Sequence, residues 1–458
     1  MSFARYRPHI AATMALGLPL VGAHLARMAI GISDTVMIGW YSVDALAALV
    51  LATSILLILM MLGAGYGIGI MGLLATAHAR DDTTEIRRVT RMALWLSLVH
   101  GVLMMPVLWY SGPLMLALGQ AEIVAQLSQD YLRIAGWGIV LTLWAMVLNS
   151  YLASMERTQV VLWLTLAGLP VNVAFNWVFI FGNLGAPELG VRGAAIASVG
   201  TQAVTLAAIL AYALWLPMTR PIALMQRFWR ADWPALRAVF LLGLPVGLTL
   251  VAEIGMFVGS NVMMGWFGTQ PLAAHGIALQ LSSISFMFQL GVSNAATIRT
   301  GQAAGRGDAV MMRDAAVTVL WIAAGFGALT SLAFIVLPEP MVGLYLDPAN
   351  PQSEAILSLA VGLMFWAALF QLADALQVQG LGLLRGVQDT RGPMWLAGIS
   401  YWVIGLPAGY LLAFPLGMGP TGLWAGLLIG LTVAAVLMLR RFWSGVERGD
   451  WTGAAQPG

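Results

Sequence analysis

The chain of 458 residues contains no cysteine. Disulfides, thiolate nucleophiles and cysteine-bound metals are therefore excluded. Lysine is also absent, and all 22 basic residues are arginine. A P-loop needs its lysine and a pyridoxal phosphate enzyme needs one for its Schiff base, so neither chemistry is open to this chain. Charge of either sign is scarce, at 9% of residues, against about 25% in an ordinary soluble domain. A net charge of +2 gives no footing for nucleic acid.

Apolar residues are abundant. They make up 60% of the chain, and the mean hydropathy is +0.85. So little charge cannot cover a globular surface, which makes lipid the expected solvent. A membrane span needs roughly 20 apolar residues, and many such runs follow one another without a soluble-looking domain between them. Arg5 and Arg7 before the first run resemble the start of a signal peptide. That run is too long, and it is duplicated later, so it reads as a first span.

The arginines count the spans. Nineteen of them fall in seven clusters: 5/7, 80/87/88/91, 157, 220/227/230/237, 299/306/313, 385/391 and 440/441/448. Each gap holds two helices and a turn, and the mid-gap turns, such as GNLGAPELG and FPLGMGPTG, carry almost no arginine. Positive residues stay on the cytoplasmic side. Six gaps with two helices each predict an all-α integral membrane protein of twelve spans with both termini in the cytoplasm. The approximate spans are 10–38, 45–74, 93–117, 123–152, 160–181, 191–216, 237–263, 271–298, 315–337, 354–383, 394–414 and 421–439.

One half copies the other. Residues 15–48 align with 241–274 at a constant offset of 226, with 12 of 34 positions identical. The offset also pairs Arg80 with Arg306, Asp82 with Asp308 and Trp95 with Trp321. An even number of spans per copy predicts two six-helix bundles related by a pseudo-two-fold along the membrane normal. The expected division is an N-terminal bundle at 1–216, an interfacial linker at 217–236, a C-terminal bundle at 237–440 and a cytoplasmic tail at 441–458.

Three acids fall inside predicted spans: Asp34, Glu253 and Asp374. Each costs roughly 2.5–3.5 kcal/mol at a helix centre on insertion scales, which makes it a functional candidate. At 1.5 Å per residue, Asp374 lies roughly 16 Å from the boundary marked by Arg385, and Glu253 roughly 24 Å from that of Arg237. Tilt can bring those two level. Burial disfavours the charged form of a carboxyl, so such acids suit binding and release of a proton, and a pair of them suits a monovalent cation. The repeat aligns Glu253 with Arg27 and Asp34 with Ser260, so the halves share a scaffold and not their charges. Arg27, seven residues before Asp34, either meets that acid through a third group or snorkels to the surface.

The segments SDTVMIGW around Asp34, PVNVAFN with Asn172 and Asn176, LVAEIG with Glu253 and QLADALQVQGLGLLRGVQDT with Asp374 resemble the multidrug and toxic compound extrusion (MATE) family, in its NorM-like branch. HGIALQLSSISFMFQLGVSNAATIRTGQAAGRGD, at 275–308, resembles that family's eighth span and following loop. The resemblance covers roughly residues 10–440. It implies a V of two six-helix bundles around a cleft, and antiport of cationic lipophilic drugs against Na⁺ or H⁺. It further implies a cation site at Glu253 and Asp374, and a second acidic site at Asp34 beside Asn172 and Asn176. No enzyme activity and no cofactor beyond the coupling ion are implied, and the partners are small organic cations and the bilayer around a monomer.

Weaker signals have plainer readings. Gly67, Gly69 and Gly72 match G-x-G-x-x-G, but no strand precedes them, so close helix packing is the expectation. Pro19 and Pro245 are repeat-equivalent and should bend their spans. Gln280, Gln289, Asn294, Gln371 and Gln377 suit bonds between helices, with Gln280 and Gln371 the candidates for lining a polar pocket. The histidines show no metal spacing. A flippase for lipid intermediates would want a basic cavity, and an intramembrane aspartyl protease would need Asp34 and Asp374 at hydrogen-bond distance.

Overall fold

The structure is a computed structural model that describes residues 3–117, 119–215, 222–347 and 349–452. Residues 217–221 of the expected linker and 453–458 of the expected tail lie outside the described residues. Twelve helices are long and apolar enough to cross a membrane: Arg5–Tyr41, Val43–Ala79, Thr83–Trp109, Glu122–Ser154, Thr158–Phe181, Val191–Trp215, Trp233–Gly265, Thr269–Arg306, Ala309–Val336, Ser353–Gly386, Arg391–Ala413 and Pro420–Arg448. They are named below as the first to twelfth spans. Among the described residues there is no strand.

Count and order agree with the arginine pattern, whereas several ends do not. The third span begins at Thr83, ten residues before the apolar stretch at 93, because Asp82 caps it by accepting the Glu85 amide at 2.9 Å. It ends at Trp109, and a separate short helix, Ser111–Ala117, takes up the remainder. The twelfth span carries its helix to Arg448, through the first part of the expected tail. There Gly449 adopts φ +75 as a left-handed cap, and Trp451 folds back to donate to the Phe442 carbonyl at 2.9 Å.

Two compact units make up the chain: Gly22–Gly247, and Met1–Val21 together with Leu248–Gly458. In the first, the fourth span is central and packs on the second, third and sixth. In the second, the tenth span is central and packs on the eighth, ninth and twelfth. These are the repeat-equivalent partners. The cap repeats too, since Asp308 accepts the Met311 amide at 2.8 Å and lies 226 residues after Asp82.

Glycine lets helices cross closely. In the first unit, Gly65 and Gly69 of the second span lie against Gly243 and Gly247 of the seventh, where an added Cβ would run into backbone. In the second unit the equivalent Gly291 lies against Val21, and Gly17 against Val292 and Ala295. Gly67 sits on the fourth span at Met146 and Val147. Small residues let membrane helices approach in this way, so the glycine motif at 67–72 is packing. Pro19 and Pro245 lie inside the first and seventh helices.

The described part of the linker, from Ile222 to Asp232, is a chain of turns. It folds back onto the start of the third span. Arg91 donates to the carbonyls of Gln226 (3.1 Å) and Arg227 (2.9 Å), and Trp95 donates to that of Phe228 (3.0 Å). The Phe228 ring packs against Trp95 and Trp144. Ala223 and Arg227 take left-handed backbone, at φ 48 and 54, to make this path.

Candidate functional site

Each unit holds one acidic site. In the first unit, Asp34 projects from the first span toward the fifth and sixth. Asn172 and Asn176 stand four apart in the fifth span, hence on one face, and both are fully buried. Both donate to Asp34 Oδ1, at 2.9 and 2.6 Å, and Asn176 also donates to Asn172 Oδ1 at 3.2 Å. Ser198 of the sixth span donates to Asp34 Oδ2 at 3.2 Å. The carboxylate thus has donors on both oxygens. Tyr131 of the fourth span is buried and lies within electrostatic reach of Asp34. Arg27 is exposed, and its side chain makes no hydrogen bond among the described residues; three neutral donors hold Asp34 instead.

In the second unit, Glu253 of the seventh span and Asp374 of the tenth are 7% and 2% exposed. Glu253 lies within electrostatic reach of Asp374, Arg385 and Tyr401. Among the described residues neither carboxylate accepts a hydrogen bond, the opposite of Asp34. The surrounding helices explain how the two acids come together. Gly255, two residues past Glu253, leaves room for Trp402, whose ring would be 2.5 Å from an added Cβ. Trp402 in turn donates to the Ala252 carbonyl at 3.1 Å. Tyr401 and Trp402 belong to a π-helical turn, Ile399–Gly405, within the eleventh span. Such turns often mark functional sites, and this one turns Tyr401 fully inward. Gln377, one turn beyond Asp374, donates to the Tyr401 hydroxyl at 2.7 Å.

Gln371, three residues before Asp374, is fully buried, and neither atom of its amide has a partner. Gln289 bonds the ninth span through the Ala323 carbonyl at 3.1 Å, as a structural glutamine does. Gln280 is exposed and its side chain bonds neither acid. No group of three or more metal-ligating side chains occurs among the described residues, so Glu253 and Asp374 stand as a pair.

The residues that sequence reading missed are Ser198, Tyr131, Tyr401 and Arg385. The first two carried no signal, being ordinary polar residues in other spans. Tyr401 lies in SYWVIG, where nothing announces a π-turn. Arg385 ends the tenth span, as its boundary composition predicts, and it also reaches inward. Its side chain is only 5% exposed and lies toward Glu253. The tight packing around Gly382 and Gly386, where Ser293 and Thr300 leave no room for a Cβ, encloses this end of the helix.

Twelve apolar helices with buried acids in both units define a multi-pass membrane protein. The sequence model of the MatE family matches residues 19–178 and 245–411. A protein described as "Probable multidrug resistance protein NorM" from Rhizobium meliloti (strain 1021) is 42% identical over 440 residues, covering 96% of this chain and 94% of that one. One of the same description from Agrobacterium fabrum (strain C58 / ATCC 33970) is 39% identical over 434 residues, covering 95% and 93%. The solved structure "Outward-facing conformation of a multidrug resistance MATE family transporter of the MOP superfamily" superposes with a TM-score of 0.87 at 20% identity, covering 96% of both chains. The chain belongs to the multidrug and toxic compound extrusion (MATE) family, in its NorM-like branch.

Proposed function

We propose that the chain is a secondary antiporter of a bacterial inner membrane, with both termini cytoplasmic, that exports cationic, lipophilic compounds in exchange for Na⁺ or H⁺ by alternating access. Two relatives described as probable multidrug resistance proteins, at 42% and 39% identity, support drug export. Asp34, Glu253 and Asp374 are the coupling acids. Asn172, Asn176 and Gln371 contribute polar groups to the sites, and Gln280 contributes where its span faces substrate.

The pairing of Glu253 with Asp374 carries this reading. Two carboxyls are buried within electrostatic reach of one another, with no hydrogen-bond donor on either among the described residues. Burying a carboxylate without donors is strongly unfavourable. Taking up a proton or a small cation relieves both the burial and the mutual repulsion. When water reaches the acids, the charged forms are solvated and the ion can leave. A conformational equilibrium that changes water access thereby becomes sensitive to an ion gradient, since an ion shifts it only by its differential affinity for the two states. Asp34, already satisfied by three donors, is arranged to hold its carboxylate in place and to exchange donors with a cationic substrate.

Dye efflux from inverted vesicles under imposed Na⁺ and pH gradients tests the reading. Glu253→Gln and Asp374→Asn should each reduce gradient-driven efflux to background. Efflux equal to wild type in both would reject the coupling role. Efflux that requires ATP and no gradient would reject secondary transport.

A further inference from the structure

Outside the two acidic sites, the first unit gathers arginines at one place. The opening turns of the third span carry Arg87, Arg88 and Arg91, and the linker brings Arg227 and Arg230 back across them. Together they line a cleft of about 590 Å³ that also includes Thr84, at the start of that helix.

The charges in the cleft are unbalanced. Arg88 is matched by Asp232, which it binds through two nitrogens, and by Glu85 at 3.0 Å. Arg87 reaches only a neutral group, Gln226 Oε1, at 2.9 Å. The Arg227 and Arg230 side chains have no partner among the described residues. Arg91 is 6% exposed, its Nη1 is spent on two linker carbonyls, and its Nε has no hydrogen-bond partner. A buried donor left unsatisfied costs about 1–3 kcal/mol, more when charged. Arg87, Arg91, Arg227 and Arg230 thus converge on a cleft whose lining acid, Asp232, is held by Arg88, and Arg91 presents a buried, unpartnered N–H.

Guanidinium groups match the oxygens of phosphate in a planar, bidentate fashion. Trp229 and Trp233 beside the cleft are 79% and 72% exposed, and exposed tryptophans of membrane proteins sit at headgroup level. We propose that this cleft is a phosphate-binding site, filled by the headgroup of an anionic phospholipid of the leaflet it faces. A free phosphate ion is the other source of the same chemistry. Seated there, the phosphate binds the linker to the third span. The inference stands independently of the transport reading.

Native mass spectrometry of the full chain in detergent tests it, with phosphatidylglycerol, phosphatidylcholine and inorganic phosphate added separately. Thermal unfolding serves as a second readout. The variant Arg227→Gln/Arg230→Gln removes two charges that make no bond in the fold, and Arg91→Gln removes the buried donor. The wild type should retain phosphatidylglycerol in preference to phosphatidylcholine. The double variant should bind it about thirtyfold more weakly, as two surface arginines imply. If Arg91→Gln fails to fold, the double variant still decides. Stabilisation by inorganic phosphate with no preference for phosphatidylglycerol overturns the lipid assignment. Equal retention of both lipids with no effect of phosphate, or retention unchanged in the double variant, overturns the site.

Discussion

The Asn176 amide donates to the Asp34 carboxylate across 2.6 Å and binds Asn172 with the same nitrogen. This small network joins the first span to the fifth within one unit. Asn176→Ala should lower stability by about 1–3 kcal/mol, because it leaves Asp34 and Asn172 short of a donor in a buried setting. In a double-mutant cycle with Asp34→Asn, thermal unfolding should reveal a coupling of about 0.5–3 kcal/mol. Strict additivity would mean that the contact contributes nothing.

Tyr401 and Gln377 form the matching test in the second unit. Tyr401→Phe keeps the ring and removes the only acceptor that the Gln377 amide nitrogen has among the described residues. A loss of about 1–2 kcal/mol is expected from the stranded donor. Gln377→Leu on the Tyr401→Phe background should recover part of it, since replacing both partners by apolar groups is often nearly neutral. No recovery in thermal unfolding would show that the π-turn, and not the bond, sets the stability there.

Glycine contacts predict a contrast between two identical substitutions. At Gly65 an added methyl would collide with the backbone of Gly243 and Gly247, while at Gly362 nothing lies within 4 Å. Gly65→Ala should destabilise by about 1–3 kcal/mol through overpacking. Gly362→Ala should stay within about 0.5 kcal/mol of wild type. Comparable melting temperatures for the two variants would contradict the crossing of the second and seventh spans.

The pair of Arg88 and Asp232 ties stability to pH at the linker. The guanidinium holds the Asp232 carboxyl below its usual range. A depressed acid contributes stability that is fully present above its unfolded value, roughly pH 4, and lost as pH falls through the folded value. The pair is partly exposed, at 37% and 16% for the two side chains, so the contribution is at most about 1 kcal/mol. Below roughly pH 4 the wild type should lose this increment, measured by thermal unfolding. Asp232→Asn should lack it at neutral pH and show no corresponding loss on acidification. Parallel acid profiles for the two proteins would refute the assignment.

The repeated helix caps should behave alike. Asp82→Ala and Asp308→Ala each remove one side-chain acceptor at the N-terminus of the third or ninth span. Each should lower stability by about 1 kcal/mol, and Asp→Asn at either position should be close to neutral. A large difference between the two in thermal unfolding would mean that the repeat is preserved in sequence and not in energetics.

Much of the site was legible from the chain because polar residues in an apolar background are conspicuous. Asp34, Glu253 and Asp374 are acids where insertion into lipid is unfavourable, and Asn172 and Asn176 announce a shared face by their spacing of four. Span number followed from the arginine clusters, since charge partitions to one side of a bilayer. The inward reach of Arg385 was not legible, because it carries the composition of a boundary and the burial of a core residue. The start of the third span was not legible either. Apolar windows report where lipid begins, whereas the Asp82 cap decides where the helix begins.

Sequence alone determined the solvent, the twelve helices, the doubled pattern and the acids, because each is written in composition, periodicity or a constant offset. Tertiary structure alone decided that Asp34 receives three donors while Glu253 and Asp374 receive none among the described residues. It also decided that a π-turn carries Tyr401 inward and that the linker arginines converge on those of the third span. Those facts depend on which faces of distant helices meet, and a one-dimensional pattern of apolar residues does not fix the rotation of one helix against another.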